Sequence, residues 1–254
     1  MRTAGWIALA WLCATFAHAA EFDHTHARLD RVLKTYVKNE RVDYAALKAS
    51  PQDLDAWLKS AGAVTEADFN RWTPPQQLAF LINLYNAATL RLILDHYPIQ
   101  SIKDIGNVFK GPWKQEVVPL HGKKVTLDYL EHGVLRKKYA EPRVHFAIVC
   151  AAKGCPSLRA EAFVADKLNE QLDEQGRVFL GTKAKNRWDA KGGVLYLSPI
   201  FKWFSEDFEK KSGSVVKFVT PFFPPEDQKA IAAARSPELR FTDYDWSLNS
   251  QRNP

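Results

Sequence analysis

TPPQQLAFLINLYNAATLRLILDHYP, residues 73–98, decides the fold. Thr73 is placed to cap a helix, Pro74 takes its first position and Gln76 its third, the order of a capping box. From Leu78 to Leu94 apolar residues cover nearly the whole circumference. Such a helix is buried on every side rather than laid on a surface. Pro98 closes it, so the spacing predicts a central buried helix over about 74–96. Two polar residues interrupt the apolar cover. Asn83 and Asn86 lie three apart and share a face. A buried amide left unpaired costs about 1–3 kcal/mol, so both need partners. Either they tie the helix to neighbouring backbone, or they line a polar pocket or orient a catalytic histidine.

The rest of the chain must enclose this helix. Residues 22–39 place Phe22, Leu29, Val32, Leu33 and Tyr36 at helical spacing. RVDYAALK (41–48) reads as a turn or short strand before a helix at about 51–61. Residues 65–68 resemble another capping arrangement. Downstream, EVVPL–HG–KKVTL within residues 113–127 alternates around a two-residue turn and predicts a β-hairpin. Thr126 caps a short helix through LDYLEHGVLRKKY. Residues 144–150 read as a buried strand delivering thiols to a loop at 151–158, with a helix following from about 160 to 180. VLYLSP (194–199) is a further strand and FKWFSEDF a short helix or turn. Residues 213–235 are helical with a proline-rich break, and ELRFTDYDWSLN holds a last strand. The class is α+β: helices enclosing a small, mainly antiparallel sheet. No Ser/Gly/Pro linker divides residues 20–254, which read as a single globular domain.

MRTAGWIALAWLCATFAHA at the start has a basic residue, a short apolar run and a small-x-small ending. It predicts a cleaved secretory signal peptide, residues 1–19, with cleavage after Ala19 and a periplasmic or secreted protein. Bulky Trp11 and Leu12 before Cys13 argue against a lipid anchor. No other run looks like a membrane span, so no stable span is expected after cleavage. The formal charge of +6 is spread along the chain, which argues against nucleic-acid binding. Two cysteines remain beyond the leader, too few for a disulfide framework.

HFAIVCAAKGCP (145–156) concentrates the chemistry. A reactive thiol needs an imidazole within reach and a third group to orient it. On an ideal strand His145 and Cys150 point to opposite faces, so His132 is at least as good a partner for Cys150. Glu131, Asn83, Asn86 or Asp207 could orient the imidazole. Arg136, one turn on from His132, could bind a carboxylate or pair with a glutamate. Cys150 and Cys155 enclose four residues and could equally form a disulfide. Two cysteines and two histidines could form a zinc set, but the spacing matches no strong signature. Phosphate-binding loops, dinucleotide fingerprints, GxSxG and HExxH are absent. No metal and no cofactor is expected.

LAFLINLYNAATL (78–90), LEHGVLR (130–136), HFAIVCAAKGCPSL (145–158), LSPIFKWFSEDF (197–208) and, more loosely, YDWSLN (244–249) resemble the domain of unknown function 547 family, in its exported bacterial form. The resemblance spans about residues 40–250. It implies Asn83, Asn86, His132, His145, Cys150 and Pro156 as motif positions and brings no established activity. Plant members carry Asp where this chain has Cys155. A looser likeness to papain- and transglutaminase-like thiol enzymes is one of fold analogy.

Two functions follow as expectations. The first is a ligand-binding or envelope-assembly module with an Asn/His/Cys pocket, taking a small molecule, a peptide or an envelope polymer. The alternative is a thiol-dependent acyl hydrolase or acyltransferase. Cys150 would be its nucleophile, His132 or His145 its base, and Glu131, Asn83 or Asn86 the orienting group. Arg136, Cys155 and Asp207 would contact substrate.

Overall fold

The structure is a computed structural model describing residues 21–107, 109–234 and 237–251. The leader expected over residues 1–19, with its cleavage point, lies outside the described residues. The chain runs α1 (Ala27–Tyr36), β1 (Val37–Lys38), β2 (Arg41–Val42), α2 (Tyr44–Ala49), α3 (Gln52–Ala63), α4 (Glu66–Arg71) and α5 (Pro74–His96). Then come β3 (Glu116–Leu120), β4 (Lys123–Thr126), a π-helix (Tyr129–Leu135), α6 (Arg136–Lys138), α7 (Val144–Ala147) and α8 (Leu168–Gly181). The last third holds β5 (Arg187–Asp189), β6 (Val194–Leu197), α9 (Ile200–Trp203), α10 (Ser205–Ser212), α11 (Val215–Val219), α12 (Pro225–Ala233) and β7 (Glu238–Phe241).

Helix α5 is as the sequence predicts. The Thr73 N–H donates to Gln76 Oε1 at 2.9 Å, and every residue from Leu78 to Leu90 is buried. By length and composition alone this helix would pass for a membrane span, contrary to the reading that no such run follows the leader. However, 89% of its most apolar window is covered by the rest of the fold. The hairpin is also as expected. Leu120 faces Lys123 across His121 (φ 51°) and Gly122 (φ 75°). Both turn residues take positive φ, as a tight hairpin turn requires, and Gly122 does so without a Cβ penalty.

The fold is α+β, with three departures from expectation. The strands form three small sheets rather than one: β1–β2, β3–β4 and β5–β6–β7. Pairing is antiparallel except between β6 and β7, which run parallel. The stretch read as strand 144–150 is instead one turn of helix, α7, followed by extended residues. The turn forms because the amides of Val144, His145 and Phe146 bond back to the carbonyls of Glu141, Pro142 and Arg143. The extended part needs no strand beside it. Asn86 Nδ2 donates to the Ala147 carbonyl (2.9 Å) and the Val149 amide donates to Asn86 Oδ1 (3.0 Å). Helix α8 begins later than about 160 for a similar reason. Asn83 pairs with both the carbonyl (2.8 Å) and the amide (3.0 Å) of Phe163 and holds that segment extended.

Two apolar clusters result. One surrounds α5 and gathers α1 to α4, the hairpin and the π-helix. The other is built on phenylalanines: Phe146, Phe179, Phe201, Phe208 and Phe218. Phe146 of α7 packs into this second cluster, while Val144 and Ala147 of the same turn pack into the first.

One buried group couples the fold to pH. His26 is 1% exposed and its Nδ1 has no partner. Burial pushes its imidazole down to about 4 from an ordinary 6.5. The folded value lies below the unfolded one, so the stability of the neutral form is full above 6.5 and is lost as pH falls toward 4. The expected loss from this group is about 3 kcal/mol. Urea unfolding at a series of pH values should show a flatter acid limb for His26→Asn, which keeps the positive φ of 52° accessible. Parallel limbs would refute the assignment.

Candidate functional site

A cavity of about 460 Å³ opens between the two clusters. Its lining includes Tyr85 from α5, Asp128, Glu131 and His132 at the π-helix, His145 from α7, and both cysteines. Trp113, Trp203, Phe204, Tyr244 and Trp246 form aromatic walls. Their rings pack on one another, with Tyr244–Trp246 centroids 4.5 Å apart and Trp203–Tyr244 4.9 Å apart. Phe109, 92% exposed, stands at the cavity lining as well.

Asp207 of α10 organises the wall behind the histidines. Its carboxylate receives Arg136 Nε (2.6 Å) and Nη2 (2.9 Å) in a two-point clamp, and His145 Nε2 at 2.8 Å. Burial works to raise this carboxyl, but the hydrogen bonds from His145 and Arg136 outweigh it and hold it well below the usual carboxylate range. The bond to the carboxylate places a proton on His145 Nε2. Its ring stacks on Phe204 with centroids 4.1 Å apart.

His132 is set the other way round. Arg136 Nη1 lies 2.9 Å from His132 Nδ1. A guanidinium only donates, so Nδ1 accepts and the proton sits on Nε2. In this arrangement His132 presents a donor, not a base. Glu131 is buried beside it. Its Oε2 accepts from the Tyr85 hydroxyl at 3.0 Å, and it forms no ion pair among the described residues. Burial, then the Glu131 charge, pushes the Tyr85 hydroxyl well above its ordinary value, so it remains a donor.

The thiols form a separate cluster. Cys150 Sγ donates to Cys155 Sγ at 2.9 Å, and the Cys150 amide donates to the same sulfur at 3.0 Å. The Tyr244 hydroxyl is 3.0 Å from Cys150 Sγ. Both cysteines are free thiols. Burial works to raise Cys155, but the Cys150 thiol and amide, Tyr244 and the Lys185 ammonium together bring it below the ordinary thiol value. Cys150 goes the other way, first through its hydrogen bond to Cys155 and then through burial. The environment therefore favours the thiolate form at Cys155 over that at Cys150, which the sequence reading made the nucleophile.

The structure brings Glu131, His132, His145, Cys150 and Cys155 to one cavity. Arg136 and Asp207 lie behind the histidines as their holders and line a neighbouring recess instead. Asn83 and Asn86 spend their amides on backbone, as described above. Neither histidine hydrogen-bonds either thiol. Asp245, beside Tyr244 in the C-terminal tail, accepts from the Ser247 amide and hydroxyl. The sequence reading missed Tyr85, Tyr244 and the three tryptophans. Tyr85 stood between the two asparagines it had singled out, and Tyr244 and Trp246 within the closing YDWSLN block.

Residues 69–180 match a family model described as a protein of unknown function, DUF547. The chain carries a DUF547 domain. The match begins in α4 and ends in α8, so it holds α5, the hairpin, the π-helix and both thiols. Asp207, Trp203, Tyr244 and Trp246 complete the cavity and its supports from beyond the DUF547 match. No curated protein and no solved structure matches the chain.

Asp207→Asn should cost about 1–3 kcal/mol at neutral pH, because Arg136 and His145 lose a shared charged acceptor. The folded carboxyl lies below its ordinary 3.8, so this contribution is full above 3.8 and lost as pH falls through the lower folded value. Urea midpoints should therefore differ between wild type and variant at neutral pH and converge at strongly acid pH. Equal midpoints at neutral pH would contradict the network.

Proposed function

We propose that this DUF547 protein is an exported binding module for a small ligand carrying an ammonium group on an apolar or ring-shaped body. One observation carries the reading. The Glu131 carboxylate is buried on the cavity wall, accepts from the Tyr85 hydroxyl and forms no ion pair of its own among the described residues. A buried carboxylate favours a compensating cation. Aromatic faces around it supply the complementary attraction, since a cation over a tryptophan or tyrosine ring gains about 0.5–2 kcal/mol. Asp128 adds a second acid, and His132 offers an N–H donor for a ligand oxygen. Small amines, peptide amino groups and amino sugars of envelope polymers share this chemistry. The acyl hydrolase reading has less support, because no imidazole reaches a thiol and His132 is held as a donor.

Tryptophan fluorescence and calorimetric titration with choline, against its uncharged isostere dimethylbutanol, test the proposal. Choline should bind and the isostere should not. Glu131→Gln should weaken choline roughly tenfold or more, the loss of about 1.4 kcal/mol of charge pairing. Equal binding of the two probes, or none of either, would sink the reading. Export has its own check: the mature protein from the periplasmic or secreted fraction should begin at Ala20. A mass that includes residues 1–19 in that fraction would contradict cleavage after Ala19.

A further inference from the structure

We propose that Cys150 and Cys155 are a redox-active dithiol that exchanges with small disulfides entering the aromatic cavity. The sulfurs already touch at 2.9 Å. A disulfide needs their side chains only slightly closer. The loop between them is pinned rather than loose. The Asn249 amide bonds to the Ala151 carbonyl, while the Lys153 and Gly154 amides bond to the carbonyls of Ser247 and Asp245. Ala151 holds φ 57°, a left-handed conformation that an alanine adopts only under such constraint. A Cβ on Gly154 would come within 2.8 Å of the Asp245 amide, so only glycine lets the tail approach this closely. The pair also faces the cavity instead of lying sealed in a core. Cys150 is half-buried and Cys155 4% exposed, and both line the opening. Among the described residues these are the two cysteines.

The more accessible sulfur is Cys150, and the Cys150 amide and Sγ both donate to the more buried Cys155 Sγ, which sets the order of events. An incoming disulfide meets Cys150. As Cys150 Sγ attacks one sulfur of the disulfide, its proton passes to Cys155 Sγ, and the other sulfur leaves as a thiolate. That thiolate takes the proton from Cys155. Cys155 Sγ then attacks Cys150 Sγ, forms the internal disulfide and expels the second half as a thiolate. One disulfide has gained two electrons and the dithiol has lost two. The scheme starts from the pair after loss of one proton to solvent, and the remaining proton leaves on one product thiol. Hydrogen bonds to Cys155 from the Cys150 amide and Tyr244, with the charge of Lys185 nearby, favour the thiolate in the resolving step.

Dithiodipyridine, a neutral flat aromatic disulfide whose released thiopyridone absorbs light, tests the scheme on the reduced native protein. It bears no ammonium group, so its result stands apart from the choline experiment. Wild type should release two equivalents and end two hydrogens lighter with no adduct. Cys155→Ser should release one equivalent and keep a stable adduct on Cys150. Cys150→Ser should react roughly tenfold more slowly, since only the buried sulfur remains. Wild type should also titrate reversibly between dithiol and disulfide across glutathione buffers, followed by mass. Release that stops at one equivalent, a disulfide that glutathione never reduces, or a dithiol that glutathione never oxidises would each overturn the proposal.

Discussion

Buried side-chain amides stand in for strands in this protein, and the site depends on that substitution. Asn86 takes the carbonyl of Ala147 and the amide of Val149, and Asn83 takes both polar groups of Phe163. Gln171 does the same for the Ala162 carbonyl and the Val164 amide. Asn186 bridges the Phe179 carbonyl and the Ser198 amide. Each carboxamide has the donor and acceptor of a peptide unit, so it can satisfy an extended segment that has no neighbour. The segment after α7 crosses the interior in this way outside the three sheets. Its far end is bridged to the tail at Ala152 and Leu248, and the sharp turn at Ala151 between the two holds the sulfurs against each other.

The polar groups around the cavity fall into two sets with different tasks. Arg136, Asp207, His145 and His132 form a continuous chain of charge-assisted bonds, which fixes the ring nitrogens that carry protons. Cys150, Cys155 and Tyr244 form the other set, joined by sulfur and hydroxyl contacts. Glu131 and Tyr85 lie beside both and belong to neither. Proton positions at the histidines are thus set by a carboxylate behind the wall, and thiolate preference at the cysteines by donors from loop and tail.

The central helix, its cap, the hairpin turn and the α+β class were legible because they rest on local patterns: apolar periodicity, Thr-Pro-Pro-Gln and His-Gly. The candidate residues were partly legible. Glu131, His132, His145, Cys150 and Cys155 do meet, since residue type marked them. Their pairing was not legible. The parity argument for His145 and Cys150 presumed a strand, and Asn86 removed the need for one. Nothing local to Cys155 foretells its preference for the thiolate form, which comes from an amide five residues back, a tyrosine in the tail and a lysine beyond α8. The asparagine partners were equally distant, 61 to 80 residues along the chain. Long-range satisfaction of buried polar groups leaves no trace in spacing.

Helix α7 is a single turn, yet Phe146 is packed in one apolar body and its neighbours in the other. His145 rides on this turn, stacked against Phe204 from the far side. The opening therefore lies between two apolar clusters and not within either, with α7 packed into both. A molecule seated there touches both clusters at once, so the contacts it makes are ones that neither cluster could supply alone.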